Sequence, residues 1–169
     1  MPAPYLPASA ANSILSASED RGIMLSPMKL QKLLYLSHGY YLATTTTPWI
    51  DEAFEAWDYG PVVPSIYHEF KRFGSSSIGR GARCTALIHE PSGFRWETPE
   101  GATDHDDIGG QVVNWVLNTY GGKSAIYLSE LTHKVGSPWE VIRQNTGNAR
   151  NQDIPNEAIR EYFGNLIKA

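Results

Sequence analysis

The chain has 169 residues, 41% of them hydrophobic and 19% charged, with a formal net charge of −4. That composition fits one folded domain with a real core, excludes a disordered chain, and argues against nucleic acid as the main ligand, because phosphate neutralisation needs a basic excess. The single cysteine, Cys84, excludes an intrachain disulfide and a cysteine-built zinc site, and no apolar run approaches the ~20 residues of a membrane span.

Residues 1–8 carry three prolines and no periodicity, so they are expected to be a flexible lead-in to one domain over 9–169. They also lack the basic start and apolar stretch of a signal peptide, which makes the cytoplasm the expected compartment. Ser9 can cap a short helix carrying Ile14 and Leu15 and ending near Gly22. Ser26-Pro27 opens a second helix, with a capping hydroxyl followed by a residue whose missing N–H costs nothing in the first turn. Leu30, Leu33, Leu34 and Tyr41 share one face of it, and Lys29 and Lys32 fall together on the other side, as exposed lysines. The threonines of 44–47 and Pro48 end it. Trp49–Tyr59 alternates loosely as a short strand ending at Gly60-Pro61. Pro64 then opens a helix whose Ile66, Tyr67, Phe70 and Phe73 share a face, closed by Gly74.

Ser75–Gly81 is small and polar, as a loop is. Cys84–His89 and Phe94–Thr98 flank a turn at Pro91–Gly93 and read as a hairpin. Asp104–Asp107 load a helix start with negative charge, which the helix dipole favours; that helix is expected to bury Ile108, Val112, Trp115 and Val116 and to stop at Gly121-Gly122. Ser124 starts a short helix with Leu128 and Leu131. Ser137-Pro138-Trp139-Glu140 forms a capping box, and a last helix carries Ile159, Tyr162, Phe163 and Leu166. The fold class is mainly α (α+β): a single compact helical domain with a small β-hairpin or short sheet.

Catalytic patterns are absent. GGKS at Gly121–Ser124 lacks the earlier glycine of a phosphate loop, since Leu117 stands there. Four adjacent residues, Asp104–Asp107, cannot all converge on one ion, and a helix start already explains the acids. His133 could act as a general base only beside a nucleophile or water that the sequence does not name; a helix-end histidine bonded to backbone or to the Ser137 region is the plainer reading. Cys84 reads as a buried, inert thiol. No catalytic residue, cofactor or metal is expected. The aromatics are more informative, because Trp49, Phe54, Trp57, Tyr59 and Tyr67 crowd one segment. Such residues dominate both cores and binding hot spots.

Three blocks carry a resemblance: KLQKLLY (Lys29–Tyr35), EAWDYGPVVPSIY (Glu55–Tyr67), and LTH (Leu131–His133) followed by Pro138-Trp139. Together and in this order they resemble the Panacea antitoxin domain, a family that includes SocA-like antitoxins and phage-associated GepA-like proteins. The resemblance implies a cytoplasmic antitoxin that neutralises a cognate protein toxin by direct binding, with delivery to a ClpXP-type protease as a further mode. It implies no catalysis. Partner-binding candidates are Trp57, Tyr59, Pro61, Tyr67, His133 and Trp139. Ser75–Thr103 matches the pattern poorly and is a place for partner specificity. The competing readings are a DNA-binding autoregulator using Lys29 and Lys32, and an enzyme of unknown class using His133.

Overall fold

The structure, a computed structural model, describes residues 2–169. Along the described chain run α1 (Pro7–Asp20), α2 (Pro27–Thr45), β1 (Phe54–Trp57), β2 (Gly60–Val62), α3 (Pro64–Phe70), β3 (Ala86–Glu90), β4 (Gly93–Glu97), α4 (Asp107–Tyr120), α5 (Ala125–Thr132), α6 (Pro138–Asn145), β5 (Gln152–Ile154) and α7 (Asn156–Lys168). Helix exceeds strand by more than twofold, as expected of a mainly α chain with small antiparallel sheets.

Helix α2 organises the rest. Its start follows the sequence: the Ser26 hydroxyl accepts from the Lys29 N–H at 3.2 Å, and Pro27 fills the first turn. The single apolar face does not survive. Thirteen of the nineteen residues of α2 are buried, because α1, α3, α4, α5, α7 and β2 all pack around it. A helix packed against so many elements keeps no broad face for water, and of its residues only Thr44 is exposed. Leu30, Leu33 and Leu34 are wholly buried, so Leu33→Ala is expected to lower stability by about 2 kcal/mol or more, read as a shift in the denaturation midpoint.

The same enclosure corrects the two lysines. Lys32 is 1% exposed and donates to the Pro61 carbonyl at 3.1 Å, while Lys29 donates to the Gly121 carbonyl at 2.6 Å. With Lys32 enclosed and Lys29 half-buried on a carbonyl, the two do not form the exposed basic pair that a DNA reader built on them needs. His38 is also enclosed. Its Nδ1 accepts from the Ile50 N–H at 3.3 Å, so Nε2–H donates to Asn156 Oδ1 at 2.9 Å. Burial pushes its pKa down to about 4, which keeps that neutral tautomer.

Several other expectations shift. Helix α1 begins at Pro7 and Ser9 lies inside it, because a proline at the first position sets the start without a capping side chain. The lead-in is fastened: the Tyr5 N–H donates to Trp49 O and the Asp51 N–H to Tyr5 O, both at 2.8 Å. Gly60-Pro61 belongs to β2 rather than ending a strand. In α4, Val113, Val116 and Leu117 face the core, whereas Ile108 and Trp115 are exposed. Leu166 is exposed too, and α7 docks through Ile159 and Phe163. The capping box is displaced by one residue, since Glu140 accepts from the Gly136 N–H.

Candidate functional site

The aromatic segment folds into a hairpin. β1 and β2 pair antiparallel with Trp57 opposite Gly60, leaving Asp58 and Tyr59 as a two-residue turn. β5, which the sequence did not announce, pairs with the other edge of β1 to give the order β2-β1-β5.

The hairpin backbone is clamped by side chains from three helices. Arg143 of α6 donates to the Ala56 carbonyl at 3.3 Å, and the Trp139 indole to Trp57 O at 2.6 Å. The Ser129 hydroxyl of α5 donates to Tyr59 O at 2.7 Å, and Lys32 of α2 reaches Pro61 O. Gln31 donates to Val63 O at 3.1 Å and accepts from its N–H at 2.9 Å. Each bond contributes only about 1 kcal/mol net, but losing one strands a backbone group away from water, which costs more. Gly60 is required within this clamp. Its φ is +116°, and a Cβ there would stand 2.7 Å from Thr132 Oγ1 and 2.9 Å from Lys32 Cε.

In front of the hairpin lies a cleft of about 530 Å³ bounded by α2, the hairpin and α3. Trp57, Tyr59 and Tyr67 all line it. Trp57 is half-buried and meets the Tyr67 ring edge-on, with centroids 4.8 Å apart; Tyr67 is 38% exposed and Tyr59 68%. Pro61, His133 and Trp139 do not line the cleft. Pro61 is buried in β2, and the His133 ring stacks on Trp139 at 3.8 Å, behind the hairpin. Burial first, then the Lys32 charge, push the His133 imidazole below its ordinary range. The Ser137 hydroxyl is engaged by the Thr132 carbonyl at 2.9 Å, away from His133. Three of the six residues thus line the cleft, Trp57 and Tyr59 from the hairpin and Tyr67 from α3, and three do not. Gln31, Ser129 and Arg143 were not singled out from sequence. Nothing local marks Gln31, which stands beside Lys32 in a helix that also carries Lys29, Ser37 and His38.

Elsewhere, Asp106 caps α4 by accepting from the Gly109 N–H at 2.8 Å, and also takes the Tyr5 and Tyr41 hydroxyls at 2.8 and 2.9 Å. Burial opposes its ionisation, but these bonds outweigh it and hold the carboxyl low. Among the described residues no three His, Cys, Asp or Glu side chains gather as a metal site. Cys84 is buried, which drives its thiol up to about 12. No described helix is long and apolar enough to cross a membrane.

The blocks that build the clamp coincide with a known pattern. The model of the SocA-like antitoxin Panacea domain matches residues 30–140, from α2 through the hairpin to Glu140 in α6. The chain belongs to the SocA-like Panacea antitoxin family. Antitoxin SocA of Caulobacter vibrioides (strain NA1000 / CB15N) is 34% identical over 139 residues, covering 81% of this chain and 70% of that protein. No solved structure matches. In this Panacea domain the matched stretch holds most of the cleft lining and most of the groups that clamp the hairpin, while Pro27, Met28, Arg150 and Asn151 line the cleft from outside it. Arg143 and β5 lie beyond it.

Proposed function

We propose that this Panacea antitoxin neutralises a protein toxin by binding it directly in the cytoplasm, at the cleft in front of the first hairpin. Trp57, Tyr59 and Tyr67 are the anchors; Pro61 lies in the hairpin that presents the first two, and Trp139, with His133 stacked on it, holds that hairpin. The observation that supports this reading most is the pairing of exposed aromatics with a backbone fixed by side chains from α2, α5 and α6. A preorganised surface loses little entropy on binding, and large aromatic anchors dominate interface energy. Binding by complex formation needs no covalent chemistry from the chain.

Delivery of the toxin to a ClpXP-type protease would need a second surface. The outward face of the β3–β4 hairpin offers one, with Leu87 51%, Phe94 70% and Trp96 69% exposed. Under that reading, Trp96→Ala lengthens the toxin's lifetime in cells and leaves its affinity for the antitoxin unchanged.

The primary test is toxin affinity measured alongside thermal stability, with the toxin taken from the adjoining reading frame. Tyr59→Ala and Tyr67→Ala should each weaken binding by about 2 kcal/mol, about thirtyfold, with little change in Tm. Affinity that stays intact, or falls only in step with unfolding, would make the hairpin purely structural.

A further inference from the structure

The cleft is apolar at its floor and cationic at its mouth, in a chain whose net charge is −4. Leu30, Ile66 and Phe70 form much of the floor. The exposed cations that line it are Lys71 and Arg150, against a single carboxylate, Asp58; Lys32 also lines it but is buried, with its amine on the Pro61 carbonyl. That carboxylate is doubly paired: Arg143 holds Oδ1 and Arg150 holds Oδ2, each at 2.9 Å. One negative charge between two guanidiniums leaves the mouth positive. Lys71 is exposed and has no ion-pair partner among the described residues, and Arg150 is 75% exposed.

We propose that the cleft takes an acidic, amphipathic segment of the partner protein. One large apolar side chain packs against Trp57 and Tyr67, and flanking Asp or Glu residues meet Lys71 and Arg150. The inference rests on the cleft being the partner-binding site and adds what the partner must carry. The division of labour is physical. A desolvated apolar anchor supplies affinity, whereas charges at a rim supply selectivity and faster encounter, and are screened by salt within about 10 Å. A nucleic acid would satisfy the cations but leave the apolar floor unfilled.

The test uses the full chain and two fluorescein-labelled synthetic peptides of about 12 residues. Both carry the same central Trp-Leu; one is flanked by glutamates, the other by lysines. Fluorescence anisotropy should show the glutamate peptide binding at least about tenfold more tightly, with the preference shrinking as salt rises. The double variant Lys71→Glu/Arg150→Glu, both at exposed positions, should abolish or reverse the preference at an unchanged Tm. Tyr67→Ala should weaken the glutamate peptide without reversing the charge preference. Equal binding of the two peptides, binding of neither, or a preference that charge reversal leaves unmoved would overturn the proposal. So would sedimentation showing a second copy of the chain in the cleft. If the peptides fail while Tyr59→Ala and Tyr67→Ala still weaken the toxin complex, only this inference falls. If those alanine variants bind toxin normally, the reading beneath it falls as well.

Discussion

Gly39→Val is expected to cost about 4–5 kcal/mol, a large part of the 5–15 kcal/mol typical of a domain. Gly39 sits mid-way along α2, where glycine is unfavourable by about 1 kcal/mol relative to alanine. It is tolerated because the Phe163 ring of α7 lies directly on the helix backbone. A Cβ at position 39 would overlap the edge of that ring, with even Cζ only 2.6 Å away. Phe163 is 1% exposed and packed among Tyr35, Tyr40 and Tyr162, so it has nowhere to retreat. Evicting it resembles a Phe→Ala truncation, about 3–5 kcal/mol, with strain added. Urea denaturation of Gly39→Val, Phe163→Ala and the double variant checks this. The double variant should lose less than the sum of the two singles, since both act on one contact. Additive losses, or a loss below about 1 kcal/mol from Gly39→Val alone, would show that α7 does not dock there.

The second large effect comes from Lys32. Burial lowers its pKa to about 7 from an ordinary 10.5, and its ammonium has one hydrogen-bond acceptor and no carboxylate. Between those two values the unfolded chain binds the proton and the folded one does not. Stability therefore rises with pH across that window, by about 2 kcal/mol from pH 7 to pH 9. Above about pH 9 the buried Cys84 opposes the trend, and above about pH 10 so do Tyr40 and Tyr41, because each of these groups keeps its proton longer when folded. Lys32→Met should flatten the rise between pH 7 and 9. It should also be the more stable protein at pH 7 by about 2 kcal/mol, even with the Pro61 carbonyl left without its donor. A flat profile in the parent chain would mean that water reaches this amine. Chemical denaturation at several pH values reads both results.

Much of this architecture was legible wherever a local rule and the tertiary structure agree. Ser26, Ser124 and Ser137 each cap the helix that follows, and Pro64 opens α3, because capping depends on neighbours within one turn. The cleft aromatics were visible as a dense cluster. What stayed hidden depends on distant residues. The bonds from Gln31, Ser129 and Arg143 to hairpin carbonyls span 32, 70 and 87 positions, and a carbonyl acceptor leaves no mark in a sequence. β5 is three residues long, too short for any alternation to show. In α4, apolar residues occur on more than one side, so periodicity could not choose Val113 and Leu117 over Ile108 and Trp115. Lys32 was misplaced because helical spacing assumes a solvent side that α2 does not have.

The clamp also has a consequence in time. Trp57 and the indole that holds its carbonyl lie 82 residues apart. At a synthesis rate of about 5–20 residues per second, Trp57 is made about 4–16 s before that indole. For most of that interval Gln31 and Lys32 are the clamp residues already made, and the bonds from Ser129 and Trp139 to the hairpin tip are missing. On the proposed reading, the binding surface is therefore finished only once α5 and α6 are made, seconds later than the hairpin itself.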